Sequence, residues 1–276
     1  MFRLLSLLLL TSLLSPAFAL TLEGAREQGG LLLGRTAPGT KVEVDGEPVR
    51  VSPEGVFLVG FDRDQPPQCR LRLIHADGRM EQSVIEVAPR QYDIQRIDGL
   101  PADKVNPPPK VQERIRQERA LVAAARARDD ARSDFLSGWG WPAEGRISGV
   151  YGSQRILNGE PKQPHYGVDI AAPAGAPVFA PADGIVTLAH PDMYYTGGTL
   201  ILDHGHQLSS TYMHLSELLV KSGQRVQRGD LIAKVGATGR VTGPHLDWRI
   251  NLRGARLDPQ LLVPPRGDSA ARAETD

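Results

Sequence analysis

Glycine and proline interrupt this chain so often that long helices are excluded from most of it: 29 glycines and 22 prolines, 51 of 276 residues. That density sits below the roughly 25–30% of low-complexity chains, yet it favours turns and short strands. Between residues 20 and 90 the apolar residues recur with period two, in Val42 and Val44, in Val49 and Val51, and in the run Val56 to Val59. Such alternation marks half-buried strands. Asp45-Gly46, Pro53-Glu54-Gly55 and Asp77-Gly78 fall between the runs, where hairpin turns need positive φ or a preset proline. The expectation is a small β-sandwich over residues 20–100. Cys69 alternates with Leu71 and Leu73 across Arg70 and Arg72, which places it in the core; the alternative is a free thiol able to pair with another chain. His75, beside a turn, reads as a surface residue.

Pro101 and the triplet Pro107-Pro108-Pro109 read as a stiff linker lacking backbone donors. Lys110 to about Arg132 is rich in Glu, Arg and Ala, with Val111, Ile115, Val122 and Ala125 near helical spacing, so a linker and helix are expected over residues 101–137. Glu113 and Glu118 are placed to pair with arginines on neighbouring turns, making a solvated face the plain reading and a docking surface the alternative. From 138 to 263, short Val, Ile and Leu runs broken by Gly and Pro predict a compact antiparallel β domain. Residues 264–276 read as a disordered tail. At the other end, Arg3, the apolar Leu4 to Leu14 and Ala17-Phe18-Ala19 read as a signal peptide over residues 1–19. An uncleaved anchor is the rival, but Pro16 interrupts a stretch shorter than the roughly 20 residues a spanning helix needs. Cleavage places the mature chain in the periplasm or outside the cell, with no membrane span.

Lysine plus arginine and aspartate plus glutamate number 32 each, so no net field exists to hold a polyanion, and nucleic acid is excluded as the expected partner. One cysteine rules out an intramolecular disulfide framework and Cys-based zinc sites; any metal must use His and carboxylate. Six of the seven histidines lie between residues 165 and 245. In a strand, His165, Gly167 and Asp169 share a face, as do His245 and Asp247, while Leu246 and Trp248 turn to the core. Gly167 leaves the room a metal requires. His190, His204 and His206 read as turn or rim residues, and Tyr166, Tyr194 and Tyr195 are candidates to line a groove.

With Tyr212-Met213-His214-Leu215 added, the pattern becomes specific. Gly152-Ser153-Gln154-Arg155, His165-x-Gly167-x-Asp169-Ile170, Pro181-Ala182-Asp183-Gly184-Ile185-Val186 and Asp203-His204-Gly205 appear in order. Tyr212-x-His214-Leu215, Gly229-Asp230, Gly236-Ala237-Thr238-Gly239 and Thr242-Gly243-Pro244-His245-Leu246 follow. The stretch from about Gly145 to Asp258, roughly two fifths of the chain, resembles the lysostaphin-type or LytM-type zinc endopeptidases that cut peptidoglycan peptides.

The resemblance implies a duplicated hybrid motif fold, one Zn²⁺ per chain and peptidoglycan stem peptides as substrate. It makes His165 and Asp169 the first two metal ligands and His214 and His245 the catalytic histidines. The third ligand of the family is the second histidine of an H-x-H motif; here Asp247 stands in that position. A carboxylate oxygen binds Zn²⁺ at about 2.0–2.2 Å, so Asp247 is a competent replacement, and Mn²⁺ or another divalent ion becomes a credible substitute. The extra negative charge predicts a weaker Lewis acid, with the pKa of bound water above the roughly 7 of histidine-rich sites. The alternative is that the shorter side chain misses the metal and the site is disabled. No H-E-x-x-H is present, so histidine takes the place of that class's glutamate base. The leading expectation is an exported zinc metalloendopeptidase acting on peptide cross-links. Its rivals are a degenerate relative that activates a cell-wall amidase, or another division or elongation partner, and a wall-binding scaffold acting through residues 20–100.

Overall fold

The computed structural model describes residues 19–100 and 105–266; the predicted signal peptide and most of the predicted tail lie outside them. Strands β1 (Thr21–Gly24), β2 (Leu31–Arg35) and β5 (Val56–Gly60) form one antiparallel sheet. Strands β3 (Lys41–Val44), β4 (Glu47–Val49), β6 (Gln68–Ile74) and β7 (Met80–Glu86) form a second, in the order β4-β3-β6-β7. Asp45 and Gly46, at φ 50° and 88°, make the two-residue turn between β3 and β4, as their sequence requires. The two sheets enclose Leu32, Phe57, Val59, Val42, Leu71, Leu73 and Cys69. Cys69 is a core residue, and burial pushes its thiol pKa up to about 12.

The run Val56 to Val59 is buried on both faces rather than one. Phe57 and Val59 face the sandwich core, whereas Val56 and Leu58 pack with Leu208, Leu252 and Leu257 in the larger core behind. A strand covered on both sides needs an unbroken apolar run, and this one has it. Arg63 Nε donates to Gly152 O at 2.7 Å and Arg90 Nη1 to Asp258 Oδ2 at 2.8 Å across the same seam.

Strand β8 (Ile94–Ile97) corrects the expected extent of the sandwich. It leaves the two sheets and pairs in parallel with β10 (Gln154–Leu157), whose other edge carries β11 (Glu160–Pro161). Helix α1 (Pro109–Arg126) follows, with Pro109 at its first turn, where no donor is needed. It stops six residues before the expected Arg132 because tertiary bonds claim the chain: Arg50 Nε donates to Asp129 Oδ1 at 2.6 Å and His206 N to Asp130 O at 2.8 Å. Arg116 pairs with Glu113 on the exposed face as expected, but Glu118, which takes Arg114 at 2.6 Å, is buried toward the sheet, where its Oε2 accepts from Tyr194 N at 2.8 Å. Ala125 packs inward against Leu188, Met193 and Ile201.

The remaining strands are β9 (Arg146–Gly149), β12 (Val168–Ala171), β13 (Pro177–Phe179), β14 (Gly184–Met193), β15 (Gly197–Asp203) and β16 (Leu208–Leu218). After them come β17 (Arg225–Val226), β18 (Leu231–Val235), β19 (His245–Leu252) and β20 (Ala255–Leu257). They build a mainly antiparallel sheet in the order β17-β14-β15-β16-β19-β12-β9, with β13, β18 and β20 on its margins. Mainly β architecture is therefore what the sequence led to. The ordered chain runs past the expected tail start at 264: Trp141 Nε1 donates to Pro264 O at 2.9 Å, and the Arg266 guanidinium lies 4.0 Å over the Trp141 ring.

Three histidines expected at the surface are buried. His75 sits against Thr40 and Glu81, and His206 packs edge-on to Phe135. His204 donates from Nδ1 to Asp183 O at 2.6 Å, and its Nε2 accepts from Ser210 Oγ, which in turn accepts from Tyr212 Oη. Both ring nitrogens are used, fixing one neutral tautomer. Burial lowers the His204 pKa to about 4, against 6.5 when unfolded. The unfolded chain therefore binds the extra proton first. Its stabilisation is complete above about pH 6.5 and is lost as pH falls towards 4, by about 3 kcal/mol in all. Urea titrations at pH 4 to 7 should show that slope added to those of the likewise lowered His214 and His206 in wild type, and a slope shallower by about 3 kcal/mol across the range in His204→Gln.

Candidate metal centre

Strands β12 and β19 run antiparallel with Asp169 directly opposite Asp247. Leu246 and Trp248 are fully buried on the core side of β19, so alternation sends His245, Asp247 and Arg249 to the other face. His165 lies in irregular chain three residues before β12, yet its ring reaches the same point. Its Nε2 is 3.1 Å from Asp169 Oδ1 and 3.5 Å from Asp247 Oδ2. One ligand-capable atom from each of the three lies within 4.8 Å of the others, and all three residues are buried. Gly167 permits this convergence: a Cβ there would lie 2.5 Å from Arg249 Cγ and 2.9 Å from Asp247 Oδ1.

Like charges directly opposite across a ladder repel, and two guanidinium groups offset them. Arg249 holds both oxygens of Asp247, Nε donating to Oδ1 at 2.9 Å and Nη2 to Oδ2 at 2.7 Å. Arg155 Nη2 donates to Asp169 Oδ2 at 3.1 Å. Burial opposes ionisation of Asp247, but Arg249 and then His165 hold its carboxyl well below the usual carboxylate range. Burial opposes ionisation of Asp169 too, and His165 keeps it low. For His165, burial works downward and the two carboxylates outweigh it, leaving the imidazole pKa raised. The cluster thus favours a positive charge at its centre.

The three residues do not satisfy one another. Among the described residues, both ring nitrogens of His165 and Oδ1 of Asp169 are buried without a hydrogen-bond partner. Nε2 and Oδ1 are close, but their angles miss a hydrogen bond. Buried polar atoms are seldom left this way. One imidazole and two carboxylates converging on a point fit a divalent cation, with donors that suit zinc and are also compatible with manganese.

His214 reaches the same face by a distortion. Between Leu200↔Tyr212 and Gly198↔Leu215, β16 carries one more residue than β15, a bulge. His214 takes φ +66° there, and its backbone N donates to Thr196 O at 2.8 Å. Bulges beside sites re-aim a side chain, and left-handed backbone is retained where surroundings enforce it. Without it, His214 would follow Tyr212 into the core. Nδ1 of His214 donates to Thr238 O and Nδ1 of His245 to Gly243 O, both at 2.9 Å, which leaves each Nε2 lone pair free to accept. The two rings are 4.8 Å apart, and His245 Nε2 lies 3.8 Å from Asp169 Oδ1. Burial, the foremost cause, brings the His214 pKa down to about 4, so its imidazole is neutral at pH 7.

A cleft of about 180 Å³ opens onto Asp169, His214 and His245, and Ile97 and Leu100 wall it from the side of β8. All five residues selected from the sequence therefore meet at one place. Arg249 and Arg155 were not selected. The former was within reach of the same strand alternation, two residues after Asp247; the latter stood in the Gly152-Ser153-Gln154-Arg155 motif without a role, and only the tertiary placement of β10 brings it to Asp169.

The family model of peptidase family M23 matches residues 163–259. A solved peptidase M23 structure from Pseudomonas aeruginosa is 31% identical, covers 86% of this chain and 94% of its own, and superposes with a TM-score of 0.66. The chain belongs to peptidase family M23. Among curated M23-like proteins, the peptidoglycan DD-endopeptidase ShyA of Vibrio cholerae is 41% identical over 113 residues, 40% of this chain and 26% of that protein. The lipoprotein NlpD/LppB homologue of Pseudomonas aeruginosa is 35% identical over 131 residues, 48% of this chain and 41% of that protein. The chain thus spans about a quarter of the length of ShyA.

Removing one partner of a buried ion pair is costlier than removing both. With metal stripped by chelator, Arg249→Met should lose about 3–5 kcal/mol in urea denaturation, and Asp247→Asn added to it should recover most of that loss. A double variant no more stable than the single one would show that Arg249 does not act by compensating Asp247.

Proposed function

We propose that this M23 peptidase is an exported endopeptidase that cuts peptide cross-links of peptidoglycan, with His165, Asp169 and Asp247 holding one Zn²⁺ or a similar divalent ion. The observation that carries the reading is the set of buried, unpartnered polar atoms of His165 and Asp169 beside Asp247, with His214 and His245 lining the adjoining cleft. The likeness to ShyA, a peptidoglycan DD-endopeptidase, supports the substrate class. The apolar Leu4 to Leu14 before Ala17-Phe18-Ala19 supports export.

A cation in this ligand set supplies Lewis-acid activation of water and of the scissile carbonyl. The chain's own residues supply the proton traffic. Thr238 O and Gly243 O fix the Nδ1–H tautomers of His214 and His245, so each Nε2 is a lone-pair base facing the cleft. One accepts the proton of the attacking water at Nε2, as an imidazolium donates a hydrogen bond to the tetrahedral oxyanion, and then passes that same proton to the leaving amine; the other, accepting at Nε2, orients the peptide. Asp247 adds a negative charge to the ligand set, and Arg249 and Arg155 return two positive charges to its edge. That compensation offsets the loss of Lewis acidity expected from the ligands alone. Ile97 and Leu100 place the segment before α1 at the cleft wall, where it limits the approach of bulky substrate.

One observation favours a second reading. Both oxygens of Asp247 accept from Arg249, and a carboxylate so committed is a poorer ligand; a metal-free relative that activates a cell-wall amidase would tolerate this. Metal analysis of the purified chain separates the two readings. About one metal per chain is expected in wild type, lost in Asp247→Ala and kept in Asp247→His. Cleavage of purified sacculi should fall about 10²–10⁴-fold in His214→Ala or His245→Ala. A metal-free wild type that gains metal on Asp247→His would transfer the conclusion to the amidase activator.

A further inference from the structure

Beside the metal centre, a cleft of about 750 Å³ lies between helix α1 and the sheet. Helix α1 contributes Ile115, Arg119, Val122 and Arg126 to its lining, and the sheet side contributes Met193, Arg253 and Arg256. The one acidic residue lining it, Glu118, is already engaged: Oε1 accepts from Arg114 Nε at 2.6 Å and Oε2 from Tyr194 N at 2.8 Å. Among the described residues, by contrast, the side chains of Arg126, Arg253 and Arg256 hydrogen-bond neutral acceptors, and Asp247, Asp129 and Asp62 reach them only as more distant charges. Arg126 Nη2 donates to Thr211 Oγ1 at 3.0 Å, and its Nε is buried without a partner among the described residues. Arg253 Nη2 reaches Leu58 O at 3.3 Å, and Arg256 Nη1 bonds Asn251 Oδ1.

Burying a cation without an anion is costly, and the electrostatics register it. Burial first, and then the neighbouring Arg256 and Arg249, bring the Arg126 pKa down to about 9; burial also lowers Arg253 and Arg256. Arg249, which has Asp247, is raised instead. The cleft therefore lacks a negative group, and its place in the fold indicates whose. Thr211 pairs with Arg249, and Asp247 is the next residue of β19 on the same face. Two residues along a strand advance about 7 Å, so Arg126, held on Thr211, is one ladder pairing and one such step away from Asp247. Gln163, two residues before His165, lines the same cleft.

We propose that this arginine-lined cleft is a substrate subsite that binds a free carboxylate of a peptidoglycan stem peptide, with Ile115, Val122 and Met193 taking its aliphatic side chains. The proposal rests on the peptidase reading for the identity of the peptide. Guanidinium forks match carboxylates in two-point geometry, and charge-assisted bonds are the strong ones. The subsite selects acidic over amidated stem peptides.

Its test is calorimetric titration of the mature chain with an uncrosslinked stem tetrapeptide, as the free acid and with its carboxylates amidated. The free acid should bind wild type about tenfold more tightly, and Arg126→Gln and Arg253→Gln should each erase most of that preference. Thermal melts establish that both variants are folded. Equal affinity of wild type for the two peptides overturns the proposal, as does an acid preference that survives in both variants. Inorganic phosphate is the second probe: if it displaces the tetrapeptide and binds more tightly, the cleft is a phosphate site and the proposal fails. The tetrapeptide has no cross-link to cut, so this result is independent of whether sacculi are cleaved. An acid preference without hydrolysis would sink the peptidase reading and leave the subsite standing.

Discussion

Two carboxylates face each other across one rung of a β-ladder, Asp169 on β12 and Asp247 on β19, and much of the surrounding structure answers their repulsion. Left alone, such a pair would push the strands apart or take up a proton. Here Arg155, Arg249 and the His165 imidazole surround it. The cations do not fill the space between the ligand atoms, and the buried lone pairs of His165 and Asp169 remain unsatisfied. A site that concentrates negative charge and leaves donor atoms unpaired at its centre is suited to a divalent ion.

The sheet supplies the rigidity to hold it. Trp248 and Tyr212 are fully buried and opposite one another, anchoring β19 to β16. Their neighbours Asp247 and Met213 must then face the other way. A single extra residue in β16 breaks the alternation at His214 and brings a second imidazole within 4.8 Å of His245. The N-terminal sheets are part of the same body, since Val56 and Leu58 contribute to the core behind β19 while Phe57 and Val59 fill the sandwich. Strand β8 then carries the chain to the cleft wall. Charge follows the same geometry: arginine is matched by carboxylate at the centre and unmatched one step along the sheet, where helix α1 closes over it.

Much of this was legible in the residues. Period-two runs gave the strands, Asp45-Gly46 gave a hairpin turn, and the Leu246/Trp248 alternation assigned Asp247 to the face it occupies. Buried histidines were not legible, because His75, His204 and His206 sit in turns by sequence, and only packing from other elements covers them. Helix α1 reads as continuing to Arg132 by composition, but Arg50 and His206 tie Asp129 and Asp130 to other parts of the fold in non-helical chain.

By itself the sequence determined the alternation of strands and turns, the ligand-capable residues and the spacing of Asp247 two residues after His245. All of these are local or one-dimensional: side-chain period, turn chemistry and residue type. Only the tertiary structure decided that Asp247 lies opposite Asp169, that Arg249 and Arg155 neutralise the pair, that β5 joins two cores, and that arginines from α1 and the β19–β20 end of the sheet share one cleft. Those depend on register and on which distant surfaces pack together, and burial and charge pairing are properties of that packing rather than of any segment.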